Sequence, residues 1–283
     1  MVMKKDFQVF KSEEGRKLIL RSYGRLLDTV GFRYQERYVH TSFGRSYVLE
    51  AGDPTKPAVV LIHGSCSNSA AWFGDIPTLI EHYHVFSIDV VGDAGNSEEN
   101  RLDQKTEEFP EWLNEVFNGL EIEDAALIGN SLGGWIALQF AGRFPERINK
   151  LVLIAASGLV PVKSSFIIRT LLYLTMGEKG RSAISRMIFG SDEIPEAVSS
   201  FTSLVGEHFN PLTGALPVLT HEQMLRLTMP LIYIAGENDA ITDTKKAAQR
   251  LHRLIPRAEA YILENCGHVI YDAKPWYLPF LAK

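Results

Sequence analysis

Six short runs of consecutive apolar residues punctuate the chain, at 58–62, 85–88, 125–128, 151–154, 231–234 and 260–263. Continuous runs of this length suit strands buried on both faces, which predicts a mostly parallel sheet. The stretches between them, at 70–82, 106–120, 132–143 and 245–254, carry apolar residues at helical spacing. Alternating strand and helix implies an α/β fold with helices on both faces of the sheet. Before the first run, 37–49 alternates like a β-hairpin, with Ser42, Phe43 and Gly44 at its turn. Earlier still, Ile19, Tyr23, Leu26, Leu27 and Val30 fall on one helical face, with Ser12 as candidate N-cap and Gly31 as candidate stop.

The rhythm breaks once. From 158 to 229 no comparable strand run occurs, and 165–176, 180–189 and 195–208 read as helices. An insertion between two strands of an open α/β sheet leaves from the edge where ligands bind, so these helices are expected to cap that edge. The expected organisation is a helical arm over 1–36, an α/β core over 37–157 and 230–283, and a helical cap over 158–229.

Composition narrows the function. The chain has 283 residues, 46% hydrophobic and 22% charged, the profile of an ordinary globular protein. A net charge of -5 argues against nucleic acid as a partner. No apolar run is long enough to span a bilayer, and the charged residues within 7–20 are unlike a secretory signal. The expected compartment is therefore the cytoplasm. Two cysteines, Cys66 and Cys266, do not make a disulfide framework. Oligomeric state is left open by composition.

Candidate chemistry centres on Gly129-Asn130-Ser131-Leu132-Gly133-Gly134-Trp135, which follows the third apolar run. One reading is a plain turn after a buried strand. The other is a nucleophile elbow, a strained strand-to-helix turn that exposes the serine hydroxyl above the sheet. Small residues two before and two after the serine are then required, and Gly129 and Gly133 stand there. A serine nucleophile needs a base, and the base an orienting acid. In this architecture both follow the serine, acid first. The run 231–234 leads into Glu237, Asn238 and Asp239, and the run 260–263 leads into Gly267 and His268. Asp239 and His268 thus sit past strand ends on the same edge as Ser131, with Glu237 as the competing acid. An oxyanion hole needs backbone N–H donors, each worth roughly 3–4 kcal/mol to the transition state. Leu132 is one candidate. The other is Ser65, with Cys66 as alternate, on the loop entered through His63 and Gly64. Trp135 packs under the elbow helix or floors the pocket.

His63-Gly64, the stretch from Asp89 through Gly92 and Gly95 to Ser97, the serine motif, Gly236-Glu237-Asn238-Asp239 and Gly267-His268 occur in an order that resembles the α/β-hydrolase superfamily, in its single-cap group of esterases and C–C hydrolases. The resemblance runs from about Tyr38 to the end, and it implies the triad Ser131, Asp239 and His268. Two departures stand out. The Asp89–Ser97 stretch is one residue longer than the usual D-x-x-G-x-G-x-S pattern. The oxyanion loop lacks the glycine-proline pair found in many C–C hydrolases.

The expected activity is hydrolysis of a small to medium carboxylic ester through an acyl-enzyme, with no metal or organic cofactor and a small-molecule ester as partner. Alternatives are C–C cleavage of aromatic ring-cleavage products, aminopeptidase action with Glu207 or Glu222 anchoring the amine, acyl transfer, and a non-catalytic binding protein. An aspartate nucleophile is excluded by Ser131. The apolar residues of the cap are expected in part to line the pocket.

Overall fold

The computed structural model describes residues 8–190 and 196–283. Residues 1–7 of the arm and residue 195, where the third cap helix is predicted to begin, lie outside the described residues.

The chain runs α1 (Glu13–Leu27), β1 (Tyr34–Thr41), β2 (Gly44–Ala51), β3 (Ala58–Ile62), α2 (Ile76–Leu79), β4 (His84–Ile88), α3 (Glu108–Gly119), β5 (Ala125–Asn130) and α4 (Leu132–Arg143). It continues with β6 (Ile148–Ile154), α5 (Ser164–Leu174), α6 (Gly177–Phe189), α7 (Glu196–His208), α8 (His221–Leu225), β7 (Leu231–Gly236), α9 (Thr244–Leu254), β8 (Glu259–Leu263) and α10 (Lys274–Ala282). The strands form one eight-stranded sheet in the order β1-β2-β4-β3-β5-β6-β7-β8. β1 and β2 form the hairpin, and β2 joins β4 antiparallel. Every later pairing is parallel.

The buried residues divide between the two faces of this sheet. On one face Trp112, Leu113, Phe117, Trp135, Leu138 and Phe140 pack over Val60, Leu127 and Leu153. On the other, Tyr23, Trp72, Tyr277 and Phe280 cover Val59, Ile128 and Ile232. Alternate residues of one strand thus serve opposite layers, which is why the strand runs are apolar throughout.

Several predicted elements change shape. The helix expected over 70–82 is only a 3-10 turn (Ser69–Trp72) and the four-residue α2. Gly74 lies between them, and Pro77 can open α2 but not continue an earlier helix. Ser12 does cap α1, accepting the Gly15 N–H at 3.0 Å. That helix ends at Leu27 on Asp28, short of Val30 and Gly31. Two helices lie outside the predicted set: α8, closed by a Thr220–Gln223 capping box, and α10, which carries Pro279 internally.

The segment before α1 is tied to α7. Phe10 bridges Phe209 as an isolated antiparallel pair, and Asn210 N–H donates to Val9 C=O at 2.9 Å. Val9, Phe10 and Ile19 bury themselves with Val205, Phe209 and Ala94, and Cys66 packs against this cluster.

Candidate active site

Four strands end where chemistry is expected. Parallel pairing of β3 with β5, and of β7 with β8, sets the loops after β3, β5, β7 and β8 along one edge.

Ser131 stands between β5 and α4 with φ 52° and ψ -109°. Left-handed φ is costly for a non-glycine residue and persists only where surroundings impose it. They do so here. The Ser131 N–H donates to Ile154 C=O at 2.9 Å, and its C=O accepts from Trp135 and Ser157. Chain crowding explains the glycines. A Cβ on Gly129 would stand 2.4 Å from Gly133 O, and one on Gly133 would stand 2.2 Å from Ile62 O. A Cβ on Gly64 would come to 3.4 Å from Ser131 Cβ, so the loop after β3 lies directly against the serine.

His268 Nε2 is 2.9 Å from Ser131 Oγ, and His268 Nδ1 is 2.8 Å from Asp239 Oδ2. The other oxygen of that carboxylate accepts the Ile241 and Thr242 N–H groups at 2.7 and 2.9 Å. With Asp239 accepting at Nδ1, the ring carries its proton there, and Nε2 is left to accept from the serine. Asp239 is 1% exposed and His268 5%, while Ser131 remains partly accessible. Burial excludes water that would compete for these hydrogen bonds. Glu237 points elsewhere: its carboxylate pairs with Lys245 at 2.9 Å on the surface.

Lys163, which carries no recognisable signal in the sequence, donates to Asp239 C=O at 2.6 Å. The His268 N–H donates to Ile188 C=O at 3.1 Å. The segment between β6 and β7 therefore braces both the acid loop and the base loop.

The loop after β3 is fixed from behind. His63 is fully buried; its Nε2 accepts the Val90 N–H at 2.9 Å, so Nδ1 donates to Gly64 C=O at 2.7 Å. The Cys66 N–H is turned toward the Asp93 carboxylate. Among the described residues no hydrogen bond from the Ser65 N–H or the Leu132 N–H to another backbone group is found. Asp93 was not among the sequence candidates. Burial pushes its carboxyl up to about 6, against the opposing pull of His63, Arg101 and the Ala94 and Cys66 amides. The residue Cys66 is half-buried, but its sulfur is turned inward, and burial followed by the Asp93 charge pushes the thiol up to about 12. Cys266, also free, is raised by burial.

The longer Asp89–Ser97 stretch closes without disruption. Asp89 Oδ1 accepts from Ser69 N–H, Ser69 Oγ and Tyr23 Oη, while Oδ2 accepts from Asn96 N–H at 2.8 Å. Ser97 Oγ donates to Asp89 C=O at 2.6 Å. Gly92, at φ +73°, absorbs the turn.

Trp135 is buried, edge-on to Phe109, with its indole N–H on Pro217 C=O at 2.9 Å. A cavity of about 310 Å³ lies between Phe166, Arg169 and Met187 on one side and the Asp239 loop on the other. It does not reach Ser131 or His268. Instead of lining a pocket, Ile167, Ile168, Leu171, Leu172 and Leu174 are exposed, because α5 packs chiefly against α6 alone. Glu207 and Glu222 are exposed, and His208 packs on Gly15 of α1. Among the described residues no group of three or more His, Cys, Asp or Glu side chains is placed to hold a metal ion.

A family model for the α/β-hydrolase fold matches residues 57–174. The uncharacterized carboxylesterase nap of Bacillus subtilis is 27% identical over 266 residues, 91% of this chain and 88% of its own length. Carboxylesterase YbfK of the same organism is 25% identical, covering 98% of this chain and 96% of itself. The crystal structure of naproxen esterase from B. subtilis superposes with a TM-score of 0.83 at 25% identity, over 96% of this chain and 98% of that one. The 2-hydroxy-6-oxo-6-phenylhexa-2,4-dienoate hydrolase BphD from Rhodococcus superposes with a TM-score of 0.73 at 23% identity, over 88% of this chain and 98% of that one, a likeness of fold.

Proposed function

The chain has the α/β-hydrolase fold, and from that premise we propose that it is a serine carboxylesterase acting through the triad Ser131, His268 and Asp239. The observation that carries this reading is the continuous relay from Ser131 Oγ through the imidazole to Asp239, with the serine held at left-handed φ.

His268 Nε2 takes the Ser131 proton as Oγ attacks the ester carbonyl. The tetrahedral oxyanion lies against the Ser65 and Leu132 N–H groups, the latter at the first turn of α4, where the helix dipole adds favourable charge. The imidazolium, steadied by Asp239, then protonates the departing alcohol and an acyl-enzyme remains. Water, deprotonated by the same imidazole, releases the acid and restores Ser131. Asp239 is held in place throughout by two amides and the Nδ1–H.

The carboxylesterase relatives at 25–27% identity support an ester as the scissile group. No observation favours C–C cleavage, and the exposed positions of Glu207 and Glu222 supply no amine anchor beside Ser131. The substrate expected is a small to medium uncharged carboxylic ester. Turnover of p-nitrophenyl acetate and butyrate by the wild type, with loss in Ser131→Ala at unchanged circular dichroism, tests the assignment. Equal turnover in the variant overturns it.

A further inference from the structure

The helix α5 buries no side chain of its own. Six large apolar residues on it and just beyond, Ile167, Ile168, Leu171, Leu172, Leu174 and Met176, are between 44% and 66% exposed. On an α-helix the first five fall on one broad face. Solvent-exposed apolar side chains are normal singly, but so many on one element mark an interaction surface.

The charges around this face decide what covers it. Arg169, Lys179 and Arg181 are exposed, against Glu178 as the acidic residue between 163 and 181. This basic patch belongs to a chain of net charge -5. A second copy of the chain is a poor occupant. Two-fold pairing through α5 would set these cations against their own copies. An eleven-residue helix is also roughly 16 Å long and about 10 Å across, on the order of 160 Å² in projection, well below the ~800 Å² per partner of a stable protein interface. A helix with a broad apolar face, Arg169 at its edge and exposed Lys179 and Arg181 at the start of the next helix instead suits the plane of an anionic bilayer, apolar side chains among the acyl chains and cations among the headgroups.

We propose that the outer face of α5, with the basic start of α6, is a docking site for anionic lipid surfaces. The start of α5 is fastened to the catalytic edge: Val162 bridges Thr242, and Lys163 N–H donates to Ile241 C=O at 2.8 Å. Docking therefore brings the loop bearing Asp239 next to the membrane surface. The docking claim does not depend on the esterase assignment, because binding is read separately from turnover.

The test is co-sedimentation of the full chain with vesicles of phosphatidylglycerol and phosphatidylcholine in equal parts. The expected result is binding that falls at least about fivefold on pure phosphatidylcholine. It falls about tenfold or more in an Ile168→Ser, Leu171→Ser, Leu172→Ser variant. Hydrolysis of soluble p-nitrophenyl acetate is unchanged in that variant, which separates docking from catalysis and from misfolding. Each of these results overturns the proposal: equal binding of wild type and variant, no binding of wild type to the mixed vesicles, or a wild-type dimer in sedimentation velocity that the variant abolishes. An altered ester chain-length preference in the variant also overturns it, by making this face part of the substrate pocket.

Discussion

Asp239 and His268 meet at 2.8 Å with every oxygen of the carboxylate engaged, Oδ2 by the imidazole and Oδ1 by two successive amides. The carboxylate is thus aimed as well as charged. Asp239→Asn keeps the contact but presents an N–H or a weaker acceptor to Nδ1, which disturbs the tautomer the base needs. A fall in kcat of roughly ten-thousandfold is expected, with the fold retained. Glu237→Gln, which removes only a surface pair with Lys245, is expected to leave kcat within about twofold. Steady-state kinetics on both variants checks this, and the reverse ranking contradicts the acid assignment.

The elbow glycines make a stability prediction. A methyl group on Gly133 meets the Ile62 and His63 carbonyl oxygens at 2.2 and 2.6 Å, backbone atoms that cannot rotate away. Gly133→Ala is expected to destabilise by on the order of 3 kcal/mol or more and to misplace Ser131. Gly74→Ala, with nothing within 4 Å of the new methyl, serves as control. Urea denaturation of the two variants compares them directly.

Much of this site was legible because its signals are local. Gly129 and Gly133 bracket Ser131 for a steric reason that survives in the sequence, and α4 begins and ends at the predicted residues. Asp239 and His268 were singled out by position past strand ends together with the family resemblance, because the same loops also carry Glu237, Asp243, Glu264 and Asp272. What escaped depended on distant partners. Lys163 reaches Asp239 across 76 positions of sequence, and Asp93 matters only because the fold buries it beside Cys66. The apolar residues of α5 read equally well as pocket lining or as outer surface. Helical periodicity names a face without saying what it faces. The prolines of α10 and the brevity of α8 hid both helices.

Asp93 gives the pH dependence its sign. Its pKa stands at about 6 in the fold against an ordinary 3.8. A raised acid favours the protonated form, so its contribution is full below the unfolded value and is lost as pH rises through about 6. The loss amounts to about 2–3 kcal/mol. Asp93→Asn removes the ionisation while keeping an acceptor for the Ala94 and Cys66 amides. The Tm of the variant relative to wild type is expected to climb between about pH 4 and about pH 7.5. A flat difference across that range contradicts the buried ionisation.

The thiol of Cys66, pushed up to about 12, is almost entirely protonated at neutral pH and a poor nucleophile. Iodoacetamide at about pH 8 is expected to leave Cys66 unmodified in the folded protein and to alkylate it in urea. Peptide mass spectrometry distinguishes the two states. Rapid native alkylation would mean that the loop after β3 opens.

A fluorophosphonate probe reads Ser131 most directly as the nucleophile of an acyl-transfer centre. Phosphonylation needs the activated serine, the neutral base and the oxyanion donors together. One adduct per chain is expected, mapped by peptide mass spectrometry to Ser131, abolished in Ser131→Ala and strongly slowed in His268→Ala. An adduct at another residue, or undiminished labelling of Ser131→Ala, would contradict that role.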